Sequence, residues 1–256
     1  MLKKLLSVVM MLLLYSGVSY ADHPLITDEA ETLDRGEVEF ELNGEVSFDH
    51  EKGTKERETE IAGRMTYGLI DNLEMEIEVP YQWVRQEEDG ISRAEGFGDI
   101  EFEFKWRFYD EDDLNLSLKP SISIPTGSAR KELGSGKIDF GLMFLASKEY
   151  DDLDLAFHLN LGYMQNETNL EEENKRGVWH ASLAVEKGII KNLTGVANIG
   201  VESSNDRDSH DPAAFVLGGL IYNISKHVSV DFGIKGGITS PEPDVAYLAG
   251  LTWALD

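Results

Sequence analysis

From residue 37 to residue 255 the chain alternates apolar and polar residues one by one, and that period leaves it few folds. Glu37-Val-Glu-Phe-Glu-Leu-Asn-Gly-Glu-Val-Ser-Phe48 sets Val38, Phe40, Leu42, Val46 and Phe48 on one face and Glu37, Glu39, Glu41, Asn43 and Glu45 on the other. Successive side chains of a strand point to opposite faces, whereas a helical stripe would need apolar residues three and four apart. The alternation recurs at 61–67, 73–85, 99–108, 114–124, 138–147, 153–163, 178–185, 193–202, 213–222, 228–235 and 245–255, which predicts twelve strands.

The connections alternate in length. Polar stretches at 49–56, 86–96, 126–136, 165–176, 203–211 and 239–244 are long, and those at 68–72, 109–113, 150–152, 188–192 and 223–227 are short. A soluble sandwich also alternates in polarity, but strict long-short alternation belongs to an even-stranded membrane barrel with both termini on the side of the short turns. Tyr67, Tyr81, Trp83, Trp106, Phe108, Tyr163, Trp179, Tyr222, Tyr247 and Trp253 lie near strand ends, as interfacial aromatic girdles require. The predicted fold is therefore all-β: a twelve-stranded antiparallel up-and-down transmembrane β-barrel with short periplasmic turns and longer extracellular loops.

The first residues fit that compartment. Lys3 and Lys4, an apolar stretch from Leu5 to Tyr15 and Ser19-Tyr20-Ala21 read as a secretory leader, residues 1–21, cut before Asp22. Residues 22–35 then form a periplasmic segment long enough to fold into the barrel mouth as a lid, and 36–256 form the barrel. With 48 acidic against 23 basic residues the formal charge is −25, and loss of the leader removes two of the bases. Such a chain would be repelled by phosphate backbones, so nucleic acid is excluded as a partner. The absence of cysteine removes thiolate nucleophiles, disulfides and cysteine-bound zinc.

Three stretches in order carry a family resemblance: the segment His23-Pro-Leu-Ile-Thr-Asp-Glu-Ala-Glu-Thr-Leu-Asp-Arg-Gly36 leading into the first strand, Gly96-Phe-Gly-Asp-Ile-Glu-Phe-Glu-Phe-Lys105, and Leu116-Ser-Leu-Lys-Pro-Ser-Ile-Ser-Ile-Pro-Thr-Gly127. Over nearly the whole mature chain the sequence resembles the outer-membrane proteins of the MetA-pathway of phenol degradation, or transporter-like, family. The resemblance implies a twelve-strand outer-membrane barrel and passage of aromatic or other hydrophobic compounds. Outer-membrane lipid, lipopolysaccharide and a small-molecule solute are the partners expected on this reading, with no cofactor.

If the apolar face meets lipid, the other face lines the lumen, and its charge is one-sided. Strands one to four contribute Glu37, Glu39, Glu41, Glu45, Glu58, Glu60, Glu74, Glu76, Glu78, Asp99, Glu101 and Glu103 against Arg64, Lys105 and Arg107. A tight turn over 68–72 would set Arg64 opposite Glu76, and the other carboxylates have no partner nearby in sequence. Crowded carboxylates attract cations and repel anions, so Glu39, Glu41, Glu60, Arg64, Glu74, Glu76, Glu78, Glu101, Glu103 and Lys105 are the expected selectivity residues; a merely solvated polar face explains the same charges.

A second lumenal group is His158, Asn160, His180, Ser182 and Asn198. A turn centred near Ile190 would bring Asn198 opposite Ser182, with His158 and Asn160 on the adjoining strand. His180 and Ser182 share one strand face, as the base and nucleophile of a lipid hydrolase must, but parity aims them into the lumen, so hydrogen bonding of a passing solute is the preferred reading. Asp206-Arg-Asp-Ser-His-Asp211 lacks the central glycine and terminal glutamate of a calcium loop, and Glu171-Glu-Glu173 could bridge to lipopolysaccharide through divalent cations, though acidic loops are more often merely solvated. The sequence thus points to an outer-membrane channel or transporter without catalytic or metal residues, the alternatives being a lipid hydrolase or a structural, adhesin-like barrel.

Overall fold

The computed structural model describes residues 23–51, 53–87, 90–165, 177–203 and 211–255. The leader, the acidic run at Glu171 and most of the stretch from Asp206 to Asp211 lie outside the described residues. The strand segments are β1 (Val38–Glu51), β2 (Thr54–Ile70), β3 (Leu73–Glu87), β4 (Ile91–Phe97), β5 (Ile100–Glu111), β6 (Leu114–Ile124), β7 (Asp139–Tyr150), β8 (Leu155–Gln165), β9 (Gly177–Ile190), β10 (Leu193–Glu202), β11 (Ala213–Asn223), β12 (Val228–Gly237) and β13 (Val245–Leu255). β4 and β5 pair with successive stretches of β3 and form one broken stave, so the staves number twelve. All neighbours are antiparallel, and pairing of β1 with β13 closes the barrel. Closure removes the sheet edges that lipid could not hydrogen-bond.

The faces are assigned by exposure. Glu74 is 2% exposed and Leu42 is 53% exposed, and the same contrast sets Glu39, Glu41, Glu76 and Lys105 against Phe40, Phe104 and Trp106. Carboxylates point inward and apolar side chains outward, the reverse of a water-soluble barrel. Trp83, Trp106, Tyr163, Trp179, Tyr222 and Trp253 are among the outward-facing aromatic residues.

Two outer connections expected at 49–56 and 86–96 are mostly strand instead, because β1 and β2 continue to Glu51 and from Thr54, and β3 and β4 to Glu87 and from Ile91. Backbone pairing persists there beyond the end of the apolar alternation, since a ladder above the membrane needs no lipid-facing side chains.

The break between β4 and β5 has a local cause. Pro80 accepts from Gly98 N–H at 3.0 Å, and its own nitrogen, on that same edge, has no proton to donate. One extra residue on the opposing stave accommodates this, since Tyr81 faces Phe97 but Glu78 faces Glu101. The bulge turns Asp99 out of the lumenal row in which the alternation places it. Its carboxylate accepts from Gly127 N–H (2.8 Å) and Ser135 N–H (2.7 Å), while Thr126 Oγ1 donates to the Gly98 carbonyl (3.0 Å). Leu133 is buried over Gly96 and Gly98, and a side chain at Gly127 would collide with the Leu133 carbonyl. The glycine motifs at 96–99 and 125–127 thus fasten one outer loop to the wall. Asp99→Ala should release that loop, exposing Arg130 and Lys131 to trypsin while the barrel keeps its heat-modifiable migration; unchanged cleavage would remove Asp99 from this role.

Candidate functional site: a lumen occupied by the N-terminal segment

Residues 23–35 run inside the barrel, bonded to inward-facing residues of the wall. Thr32 Oγ1 donates to the Asp71 carbonyl at the turn between β2 and β3, and Leu33 N–H donates to Glu74 Oε2 at 2.6 Å. Further in, Ala30 is fully buried between two serines: its N–H donates to Ser147 Oγ (2.8 Å) and its carbonyl accepts from Ser117 Oγ (2.5 Å). Asn198 Oδ1 accepts from Ile26 and Thr27 N–H (2.8 and 3.1 Å), and its amide nitrogen donates to Thr27 Oγ1 (2.6 Å). In the orientation that satisfies both halves of its amide, Asn160 accepts from Asp28 N–H at 2.7 Å and donates to the Asp28 carbonyl at 2.8 Å. At the far wall His23 Nδ1 lies 2.5 Å from Asp231 Oδ1.

Asp28 is the centre of this arrangement. Its carboxylate lies 3.2 Å from Lys105 Nζ and 2.6 Å from Lys119 Nζ, both lysines being buried. The lysines also resolve conflicts within the wall. Register sets Glu76 directly opposite Glu103, a repulsive pair, and Lys119 bonds both, at 3.1 and 2.8 Å. Glu74 faces Lys105 at 3.0 Å. Glu45 faces Glu60, and these are separated by Lys235 (3.3 Å to Glu45) and by Gln82, which donates to Glu60 at 2.7 Å.

Glu45, Glu60, Glu74, Glu76, Glu78 and Glu103 therefore have partners, supplied from other staves and, for Glu74, also from the N-terminal segment, which sequence adjacency cannot show. Arg64 faces Glu78 and not Glu76, at 2.9 Å, with Glu41 at 3.7 Å. The β2–β3 turn is Asp71-Asn72, which lies beyond a turn centred at 70 and would move each partner by three, and a bulge between Gly68 and Ile70 returns one of these. The β9–β10 turn is displaced in the same way, so Asn198 faces Ala184, and Ser182 faces Gly200 and Asn160. Glu39 is buried in the same wall, and Glu101 faces Glu78.

The polar group at His158, Asn160, His180, Ser182 and Asn198 is divided in two. Asn160 and Asn198 hold the segment, and Ser147, having accepted from Ala30, bonds His158 Nδ1 at 2.8 Å. Ser182, directly opposite Asn160, turns its bonding to His180 instead: His180 Nε2 is 2.9 Å from Ser182 Oγ, and its Nδ1 is 3.4 Å from Glu202 Oε2. Among the described residues no three His, Cys, Asp or Glu side chains are placed to hold a metal ion.

The opposite wall is apolar within as well as without. Ala184, Val196, Phe215, Leu217, Ile221, Ala246 and Leu248 form a buried cluster with Leu25 of the segment, and Pro24 packs over Gly219 and Gly233. The alternation gave these residues no lumenal role, because β11 is apolar on both faces. The segment matches the two-sided lumen: Pro24-Leu25 on the apolar side, Asp28 on the charged side.

Asp28→Asn takes one carboxylate from each of two buried lysines. Breaking a buried pair costs about 3–5 kcal/mol, and the lower end applies here because each lysine keeps a glutamate. Hydrogen exchange of the Ala30 amide should quicken by roughly a hundredfold as the segment leaves its seat more often; exchange equal to that of the unaltered chain would remove Asp28 from this role.

Comparison with solved structures gives outer-membrane barrels. The COG4313 outer membrane channel from Pseudomonas putida F1 is 14% identical with a TM-score of 0.70, over 88% of this chain and 98% of that one. The KdgM porin is 9% identical (TM-score 0.59; 85% and 99% covered), and the NanC porin 13% (0.56; 84% and 100%). No curated protein matches the sequence. The family described as "Putative MetA-pathway of phenol degradation" matches residues 21–255, so the chain belongs to that family and is an outer-membrane β-barrel.

Proposed function

We propose that the protein is a plugged channel for small solutes, closed by residues 23–35 and opened when that segment withdraws. The observation that carries this reading is how the segment is held. From Ile26 to Leu33 its fastenings are to side chains of the wall, apart from the bond of Thr32 to the Asp71 carbonyl, and the barrel ladder closes without it. Water or solute can replace such bonds one by one without breaking the sheet. Neutral hydrophobic or aromatic compounds fit the apolar stripe of β9–β13 that Pro24 and Leu25 cover, and they accord with the family's description. Of the wall residues Glu39, Glu41, Glu60, Arg64, Glu74, Glu76, Glu78, Glu101, Glu103 and Lys105, those paired with Arg64, Lys105 or Lys119 act first as a dock for the segment, so selectivity rests on bore and apolarity as well as on charge. Lipid and lipopolysaccharide surround the outward apolar face.

Ala30 has no exposed surface, so Ala30→Trp cannot seat. Liposomes containing this full-length variant should swell in a small neutral aromatic solute several times faster than those with the unaltered chain; equal rates would defeat the plug reading.

The Ser182–His180–Glu202 line is the one observation that favours hydrolysis. The long His–Glu contact and the commitment of the Asn198 amide to Thr27, which leaves it unable to stabilise an oxyanion, weigh against it. A fluorophosphonate probe should leave Ser182 unmodified in the folded barrel; stoichiometric labelling lost in Ser182→Ala would reverse the preference.

A further inference from the structure

The wall reads the segment chiefly by its main chain. Asn198, Asn160, Ser147 and Ser117 together engage the N–H groups of Ile26, Thr27, Asp28 and Ala30 and the carbonyls of Asp28 and Ala30. None of these six bonds depends on which side chain the segment carries. The side chains that the wall engages are the Thr27 hydroxyl, which accepts from Asn198 (2.6 Å), the Asp28 carboxylate between Lys105 and Lys119, and the Glu31 carboxylate, which accepts from Asn115 (2.5 Å); the fully buried Ala30 admits only a small residue. When the segment withdraws, Asn198, Asn160, Ser147 and Ser117 each lose the bonds they make to it, the first three keeping a partner in the wall, and each lysine loses one carboxylate. A hydrocarbon restores none of this, and an unpaired buried polar group is costly. The chemistry that replaces the segment is that of the segment: consecutive amides with one acidic side chain two residues before a small one.

We propose that the emptied lumen is a binding groove for short, extended peptides that carry an acidic residue. The proposal rests on the withdrawal reading above and adds a ligand class to it. The groove runs from Lys105 on β5 to Asn198 on β10, where it meets the apolar cluster at Val196, so one passage offers both amide-reading groups and an apolar surface. The N-terminal segment is the groove's resident ligand, and its tethering raises its effective concentration above that of any free peptide. Free peptides should therefore bind only when the segment is disabled.

The test uses the full-length Ala30→Trp protein in planar bilayers, with Asp28→Ala as the second opened variant where the tryptophan chain does not fold. The probes are acetyl-Gly-Asp-Gly-Ala-amide, its Asn counterpart, and a peptide with the sequence of residues 24–32 as reference. The Asp peptide should block the open current saturably, the Asn peptide about tenfold less well, because only the carboxylate makes charge-assisted bonds to the lysine pair. Neither should affect the unaltered chain. An open current that neither short peptide blocks, or that both block equally, overturns the groove while leaving the plug intact. Opened variants that fold and pass no added current overturn the withdrawal reading, and this inference falls with it.

Discussion

One carboxylate joins the N-terminal segment to the charged wall of this barrel. Asp28 sits between two lysines that the wall keeps out of water, at 3.2 and 2.6 Å, and those lysines hold apart glutamates that register would otherwise press together. A buried ammonium needs carboxylates close by, and adjacent carboxylates need a cation between them. The wall supplies each lysine with a carboxylate of its own, Glu74 for Lys105 and Glu76 and Glu103 for Lys119, and Asp28 joins the two clusters through the segment. The seat of the segment and the order of the charged wall are thus two views of one network.

That network explains why a chain with formal charge −25 can line a narrow passage with glutamates. The acids stand as cross-strand pairs divided by Lys119, Lys235, Arg64 or Gln82, each arriving from a neighbouring stave or the one beyond it. On the other side of the lumen Phe215, Leu217, Ile221 and Leu248 give up solvation in favour of contact with Leu25. A passage half polar and half apolar suits amphiphilic solutes, and the segment that closes it is amphiphilic in the same sense, with Pro24-Leu25 at one end and Asp28, Glu29 and Glu31 further along.

The architecture was legible because period two and membrane polarity make the same demand on every stave: Glu39, Glu41 and Glu74 had to turn inward once Phe40 and Leu42 met lipid. The broken stave was not, since the bulge at Pro80 and Gly98 depends on a missing donor across the ladder, and it took Asp99 from the lumen to the loop. Register was legible only to within a turn. The turn at Asp71-Asn72 and the bulge beside it moved Arg64 from Glu76 to Glu78, and the same slip moved Asn198 from Ser182 to Ala184. Of the site, the residues of the dock were named but not their ligand. Asp28 lies in a segment with no periodicity, and its lysines lie on strands that sequence order does not place beside it. Phe215 and Leu217 were missed because two-faced apolarity on β11 looks like lipid exposure from either side.

The central claim is that the passage is closed by the segment in its seat. The chain has no cysteine, and Ala30 N–H lies 2.8 Å from Ser147 Oγ, so Ala30→Cys with Ser147→Cys places a reversible bond across the seat. Combined with Asp28→Asn, which loosens the segment, the pair turns closure into a redox-controlled variable. Conductance in planar bilayers before and after reduction is the direct measurement. The account predicts a barrel silent when oxidised and conducting once reduced; equal current in both states would contradict it.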